Sequence, residues 1–248
     1  MYLNAETALL SSKVLLVPYS SWHVPRYHEW MQDEEIQQAT ASEPLSMEEE
    51  YAMQQSWRQD PDKLTFIICQ LTSSETNEGP AQTLTKESDS SGNMIGDINL
   101  FIRIDDGEDG SSTPQFVGEI ELMIAEKRNQ GQGFGKAALI LFMKFIIEHC
   151  NEVLEEFASR GIDQLMGLKL KDTKAVLKFE CLSVKIGQSN LRSLALFEGL
   201  GFVKVSTDPN FFGEFELRRN DLSVERIVRD LRDACLEDYG KVSYTRNE

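Results

Sequence analysis

The sequence predicts an α/β domain in which a mixed central sheet is flanked by helices and a ligand loop joins one strand to one helix. Three observations carry that prediction. Residues 117–125 (VGEIELMIA) alternate apolar and polar side chains, as a half-buried strand does. Residues 137–147 (AALILFMKFII) form a long apolar run that suits a buried helix. Between them lies Gln130-Gly131-Gln132-Gly133-Phe134-Gly135-Lys136. Glycines at alternate positions let a backbone come close to a ligand and point successive N–H groups at it. The helix that follows adds the positive end of its dipole. This order of elements implies a site for a phosphorylated ligand.

Spacing restricts which ligand. A Walker loop needs four residues between Gly and Gly-Lys, then a hydroxyl for magnesium, whereas Gly131 and Gly135 enclose three and Ala137 follows Lys136. A dinucleotide loop reads G-x-G-x-x-G, and here the pattern is G-x-G-x-G. What remains is Gln-x-x-Gly-x-Gly on Gln130, Gly133 and Gly135, against the plainer reading of a tight strand–helix turn. A second segment, residues 190–202 (NLRSLALFEGLGF), follows the strand-like stretch 178–186. Asn190 suits a helix N-cap, Leu194, Phe197 and Leu200 form an apolar stripe, and Gly201 ends the helix before residues 202–205 return to strand.

These two motifs, in this order, resemble the GNAT acetyltransferase superfamily. Trp22-His23-Val24-Pro25-Arg26-Tyr27-His28-Glu29-Trp30-Met31, Ala41-Ser42-Glu43-Pro44-Leu45, Gly96-Asp97-Ile98-Asn99-Leu100-Phe101 and Gly118-Glu119-Ile120-Glu121 narrow the likeness to the N-acetyltransferase 9-like family. It covers most of residues 1–68, 94–147 and 178–217 and fails over 70–93, 150–177 and the tail after 220. That family resembles the ribosomal-protein N-terminal modifiers and is associated with tubulin.

The resemblance implies the GNAT fold, acetyl-CoA as acetyl donor and no metal. It also implies a protein or peptide acceptor, through a lysine or an amino terminus, with tubulin as one such acceptor. By position, backbone groups of Met123, Ile124 and Ala125 would hold the pantetheine arm, and Gln130, Gly131, Gln132, Gly133, Phe134, Gly135 and Lys136 the pyrophosphate. Asn190 would contact the pantetheine arm or the transfer site. Glu119, eleven residues before Gln130, stands where histone-type members place a catalytic glutamate. Glu121 shares its strand face by period two and competes for the role. A pair of carboxylates on one sheet face raises one member's pKa, which suits a base near neutrality. Asp97 and Asn99 are further candidates for aligning the acceptor. One departure is Phe197, seven residues after Asn190, where many members carry a tyrosine that protonates the leaving thiolate. Ser193, one turn earlier, has the nearest hydroxyl. An enzyme and a catalytically inactive scaffold with the cofactor fold, working on cytoskeletal partners, both fit this pattern.

Composition narrows the partners. The chain carries 41 acidic and 25 basic residues, a formal charge of −16. Duplex nucleic acid and anionic membrane surfaces are therefore not expected as partners. Residues 29–50 hold eight carboxylates and no Lys or Arg, a surface that attracts a basic acceptor. No apolar run reaches membrane-spanning length, and no basic-then-apolar leader opens the chain, so a cytoplasmic location is expected, with nuclear access left open. Cys69, Cys150, Cys181 and Cys235 lack C-x-x-C spacing and are expected to be reduced and mostly buried. His23 and His28 are expected at the surface or in packing, not as ligands.

In chain order, residues 13–18 read as the first strand, and 23–38 and 46–59 as helices, the second opened by a Ser46/Glu49 capping box. Strands follow at 64–71 and 94–104, enclosing a polar stretch at 72–93 that reads as a solvated, disordered loop. Residues 105–114 form an acidic turn. An insertion at 151–177 has enough apolar material, including Leu154, Phe157, Leu165 and Leu168, to order in part. Residues 211–218 read as the last strand. Leu222, Ile227, Val228, Leu231 and Cys235 then share the face of an amphipathic helix. The expected organisation is one domain over 1–219 with insertions at 72–93 and 151–177, then an acidic amphipathic tail over 220–248.

Overall fold

The structure, a computed structural model, describes residues 1–71, 84, 86–105, 115–160 and 177–245. Strands β1 (Thr7–Leu10) and β2 (Val14–Pro18) lead through a 3-10 turn, Ser21–His23, into helices α1 (Val24–Trp30), α2 (Glu34–Thr40) and α3 (Met47–Gln59). Strands β3 (Lys63–Gln70), β4 (Met94–Asp105) and β5 (Gln115–Ile124) form a meander, and a second 3-10 turn, Lys127–Asn129, precedes α4 (Phe134–Glu148). After α5 (Cys150–Arg160) come β6 (Phe179–Gly187), α6 (Leu191–Gly199), β7 (Val203–Lys204), β8 (Glu214–Arg219), α7 (Val224–Asp233) and β9 (Gly240–Ser243).

The nine strands make one sheet in the order β7-β8-β6-β5-β4-β3-β2-β1-β9. Its pairs are antiparallel except β5 with β6, where α4 and α5 supply the long crossover that parallel neighbours need. Both faces of the sheet's middle are covered, so β2 and β3 read as almost unbroken apolar runs. Leu16, Phe66, Ile98, Leu100, Ile120 and Leu182 point to one face and pack on α4. Leu15, Val17, Ile67 and Met123 point to the other, beneath Tyr19, Val24, Tyr27 and Trp30. Helix α4 is itself core: nine of its residues between Ala137 and Ile146 are buried. Phe66 meets Phe142 and Phe145 edge-on there.

Several expectations need correction. The expected first strand is the second; β1 precedes it and pairs with both β2 and β9. The expected helix over 23–38 is two helices, broken at residues 31–33 because the Asp33 side chain caps a new start by accepting from the Glu35 N–H. The polar stretch 72–93 is not all solvated. Residues 72–83 and 85 lie outside the described residues, but Ser88 and Asp89 are buried. Phe211 and Phe212 are not in the last long strand; they stand exposed before β8, and β9 is a further strand. Cys235 leaves the helix face, exposed with φ 55° just past α7. Leu165, Leu168 and the acidic turn at 106–114 lie outside the described residues. The Ser46/Glu49 capping box is present, with the Glu49 carboxylate accepting from the Ser46 N–H at 2.8 Å. Among the described residues no helix is long and apolar enough to cross a membrane.

Candidate active site

The parallel pair β5–β6 is short. It runs from Phe116 opposite Phe179 to Glu119 opposite Ser183, and beyond that the strands part. Strand β5 stays paired to β4 as far as Ile124, and β6 to β8 as far as Gly187. The wedge between them leaves one edge of residues 120–124 facing no strand among the described residues, and alternate backbone N–H and C=O groups there can bind an extended ligand. A cleft of about 490 Å³ fills this region at the carboxyl end of β5.

Of the residues predicted to bind cofactor, Met123, Ile124, Ala125, Gln130, Gly131, Gly133, Gly135, Lys136 and Asn190 line this cleft. Gln132 and Phe134 do not: Gln132 turns back to donate to the Arg128 carbonyl, and Phe134 packs on the core beneath the Lys13 ammonium, 4.8 Å from its ring centre. Gln130 donates to the Ile124 carbonyl at 2.9 Å, so it tethers the loop to the strand it leaves. Asn190 caps α6, its Oδ1 accepting from the Ser193 N–H at 3.1 Å. Gly131 (φ 72°) and Gly133 (φ 84°) occupy the left-handed region, and a Cβ on Gly131 would meet nothing within 4 Å. The loop is an open cradle at the N-terminus of α4. Asn129 adds a buried Oδ1 without a partner on the cleft wall. Lys136 and Arg192 line the cleft without an ion-pair partner among the described residues, so cations stand ready for phosphate. These features fit coenzyme A.

Helix α2 supplies wall residues that sequence reading missed, Glu35, Ile36, Ala39 and Thr40. Lys127 holds the helix there through Asp33 at 3.5 Å and Glu35 at 2.8 Å. Beside it, Glu126 takes a hydrogen bond from Trp30 Nε1 at 2.8 Å and an ion pair from Arg26 of α1. Asp33 followed by Glu34-Glu35 was the signal for a helix start; nothing in single residues marked the contact itself.

On the sheet face under α1 and α3, register brings the acidic candidates into one row. Asp97 lies opposite Met123, Asn99 opposite Glu121 and Phe101 opposite Glu119, with Thr65 beyond Asn99. Glu119 is engaged: Lys185 donates to its two oxygens at 3.1 and 3.0 Å, and Arg103 stands 3.9 Å away. Glu121 has no ion-pair partner among the described residues. Solvent reaches it, yet the surrounding protein and then the charge of Glu119 raise its pKa above the ordinary carboxylate range, against the pull of Lys185 and Lys63. Asp97 is buried and receives the Asn99 Nδ2 donor at 2.7 Å. Burial pushes its carboxyl up to about 7, with Glu121's charge adding to the shift. Among the described residues the oxygens Asn99 Oδ1 and Thr65 Oγ1 are buried without partners, so the row holds acceptor capacity these residues leave open. Phe197 points away from all this, 3% exposed in the core and edge-on to Phe202 at 5.0 Å, while Ser193 lines the cleft.

The acetyltransferase (GNAT) domain family matches residues 13–203. The chain is 41% identical over 219 residues to alpha/beta-tubulin-N-acetyltransferase 9 of Homo sapiens, covering 88% of this chain and 85% of that one. It is 37% identical over 204 residues to the Drosophila melanogaster protein of the same name, covering 82% of each. Its fold is similar to an acetyltransferase (GNAT family) of Bacillus anthracis, with a TM-score of 0.52 at 10% identity over 87% of this chain and 99% of that one. The chain thus belongs to the GNAT acetyltransferase family, among its N-acetyltransferase 9-like members, as an acetyl-CoA-dependent acetyltransferase.

Proposed function

We propose that the protein moves the acetyl group of acetyl-CoA onto an amine of a protein acceptor in the cytoplasm, and that tubulin, named for its human and fly relatives, is that acceptor. One observation carries this reading: the wedge between β5 and β6 joins a phosphate cradle at one end to a row of carboxylates at the other. Bound acetyl-CoA supplies an activated thioester. The residues do the rest. Backbone N–H groups of Gly131 to Lys136 hold the pyrophosphate, with Lys136 and Arg192 as counter-charges. The free edge at Met123 and Ile124 orients the pantetheine arm, and a backbone N–H there polarises the carbonyl.

An acceptor amine is protonated at neutral pH and must lose a proton before it attacks. Glu121 is the base in this reading, directly or through water, because its pKa is raised and no ion pair holds it among the described residues. Glu119, held by Lys185 and Arg103, maintains the field that raises Glu121. Asp97 and Asn99 line up the incoming amine. With Phe197 turned into the core, Ser193 or water returns a proton to the thiolate.

The test is calorimetric titration of acetyl-CoA into the protein and into Gly133→Glu, followed by transfer to tubulin and to basic peptides. A glutamate at φ 84° strains the loop and fills the cradle with like charge, so binding should be lost. Binding by neither protein would sink the proposal. Binding without transfer would leave a cofactor-binding scaffold.

A further inference from the structure

One ammonium beside the carboxylate row belongs to the protein itself. Lys185 stands on β6 two residues past Ser183, where β5 and β6 last pair, and therefore at the point where the wedge opens. Its Nζ lies 3.0 and 3.1 Å from the two oxygens of Glu119. Sheet register puts Ser183 on the same face as Glu119, and the period of two puts Lys185 on that face as well. A lysine ammonium thus already stands in the carboxylate row at the mouth of the wedge, close enough that Glu121, the proposed base on the same face, feels its charge. Lys185 is half-exposed, and among the described residues its one ion pair is with Glu119, a contact that competes weakly with water.

We propose that Lys185 is an acetylation site that the protein modifies itself, within one chain, from acetyl-CoA bound in the wedge. This rests on the proposed function above and adds an internal acceptor to it. The step balances as follows. Glu121, the base of the proposed function, takes one proton from the Lys185 ammonium, directly or through water, and the freed nitrogen lone pair attacks the thioester carbonyl. The new C–N bond forms, the C–S bond breaks with its electron pair going to sulfur, and the second proton lost by nitrogen passes to the thiolate. The products are N-acetyl-lysine and free coenzyme A, with one proton released to solvent from Glu121. Acetylation then removes the cation that engages Glu119, so the row of carboxylates meets external amines without an internal competitor.

The test incubates the full chain and its Lys185→Arg variant with acetyl-CoA carrying a labelled acetyl group, with and without tubulin. Arginine keeps the positive charge beside Glu119 but is not an acceptor. Label should appear on the peptide containing Lys185, survive hydroxylamine, which strips acetyl from Ser183, Ser193 or Cys181 but not from an amide, and vanish in the variant. Its rate per protein should not change as the protein is diluted. A Lys185 that stays unlabelled while tubulin is labelled overturns the proposal and leaves the acetyltransferase reading standing. Label whose rate falls with dilution overturns transfer within one chain. Absence of acetyl-CoA binding, read by calorimetry on the same sample, would bring down both readings together.

Discussion

At the scale of single residues, the distribution of charge separates Glu121 from Glu119. Both were legible in the sequence as period-two neighbours, but only the fold shows Lys185 and Arg103 gathered on Glu119. Replacing Glu121 by Gln should lower kcat on the order of 10²–10⁴-fold, the usual yield of general base catalysis, and leave acetyl-CoA affinity intact. In the wild type, kcat/KM should rise with pH and level off above the ordinary carboxylate range, and the Glu121→Gln variant should lose that rise. A Glu121→Gln enzyme with wild-type kcat would remove it from the mechanism. Asp97 gives a second, structural prediction. Its carboxyl titrates near 7 in the fold and near 3.8 when unfolded, so between those values the folded state holds a proton that the unfolded chain has released. Stability from this group therefore falls as pH rises through that window. Asp97→Asn should be more stable than wild type at pH 8, by about 1–3 kcal/mol after allowance for relaxation, with the difference shrinking toward pH 4. Urea titrations at the two pH values decide it.

At the scale of elements, two joints set the geometry of the cleft. The first is the close approach of β4 and β5. A Cβ on Gly96 would stand 1.9 Å from the Met123 carbonyl oxygen, so Gly96→Ala must push apart the strands that form the cleft floor. It should cost about 1–3 kcal/mol in thermal unfolding and weaken acetyl-CoA binding together, whereas Gly92→Ala, with open space around it, should do neither. The second joint is Asp89. It accepts from Trp22 Nε1 at 2.9 Å, from Tyr244 Oη at 2.5 Å, and faces His23 Nε2 at 3.2 Å, tying the stretch before β4 to the lead into α1 and to the residue after β9. Burial alone would raise its pKa, but the bonds from His23, Tyr244 and Trp22 outweigh it and hold the carboxyl at about 2. Its contribution is fully present above pH 4 and is lost as pH falls toward 2. Asp89→Ala should destabilise the fold by about 3 kcal/mol at pH 7, because the bonds from Trp22, His23 and Tyr244 to this buried carboxylate are lost together. The meander, the long apolar helix and the glycine loop were legible because each obeys one local period. Asp89, β1 and β9 were not, since a polar run or a short strand gains its meaning only from partners far along the chain.

At the scale of the whole molecule, one sheet edge-to-edge carries two chemistries of opposite charge. The donor end needs cations in a chain of formal charge −16, and Lys136 and Arg192 line the cleft to provide them. The acceptor end needs the reverse, and Glu34 of α2 and Glu48 and Glu49 of α3 form an exposed acidic rim without ion-pair partners among the described residues, on helices that pack over the same sheet face as the carboxylate row. Long-range fields act on both substrates before contact, and salt erases fields over about 10 Å at 0.1 M. The two Michaelis constants should therefore respond to salt with opposite sign. The KM for a basic peptide acceptor should rise, roughly tenfold between about 0.05 and 0.5 M salt, as the acidic rim stops gathering it. The KM for acetyl-CoA should stay level or fall, because screening removes the overall repulsion between an anionic donor and an anionic protein while the cleft cations act at contact distance. Reversing two rim charges, as in Glu48→Lys with Glu49→Lys, should flatten the acceptor response and leave the donor response unchanged. Parallel salt responses for the two substrates would show that the rim does not steer the acceptor, and would confine recognition to the row formed by Asp97, Asn99 and Glu121.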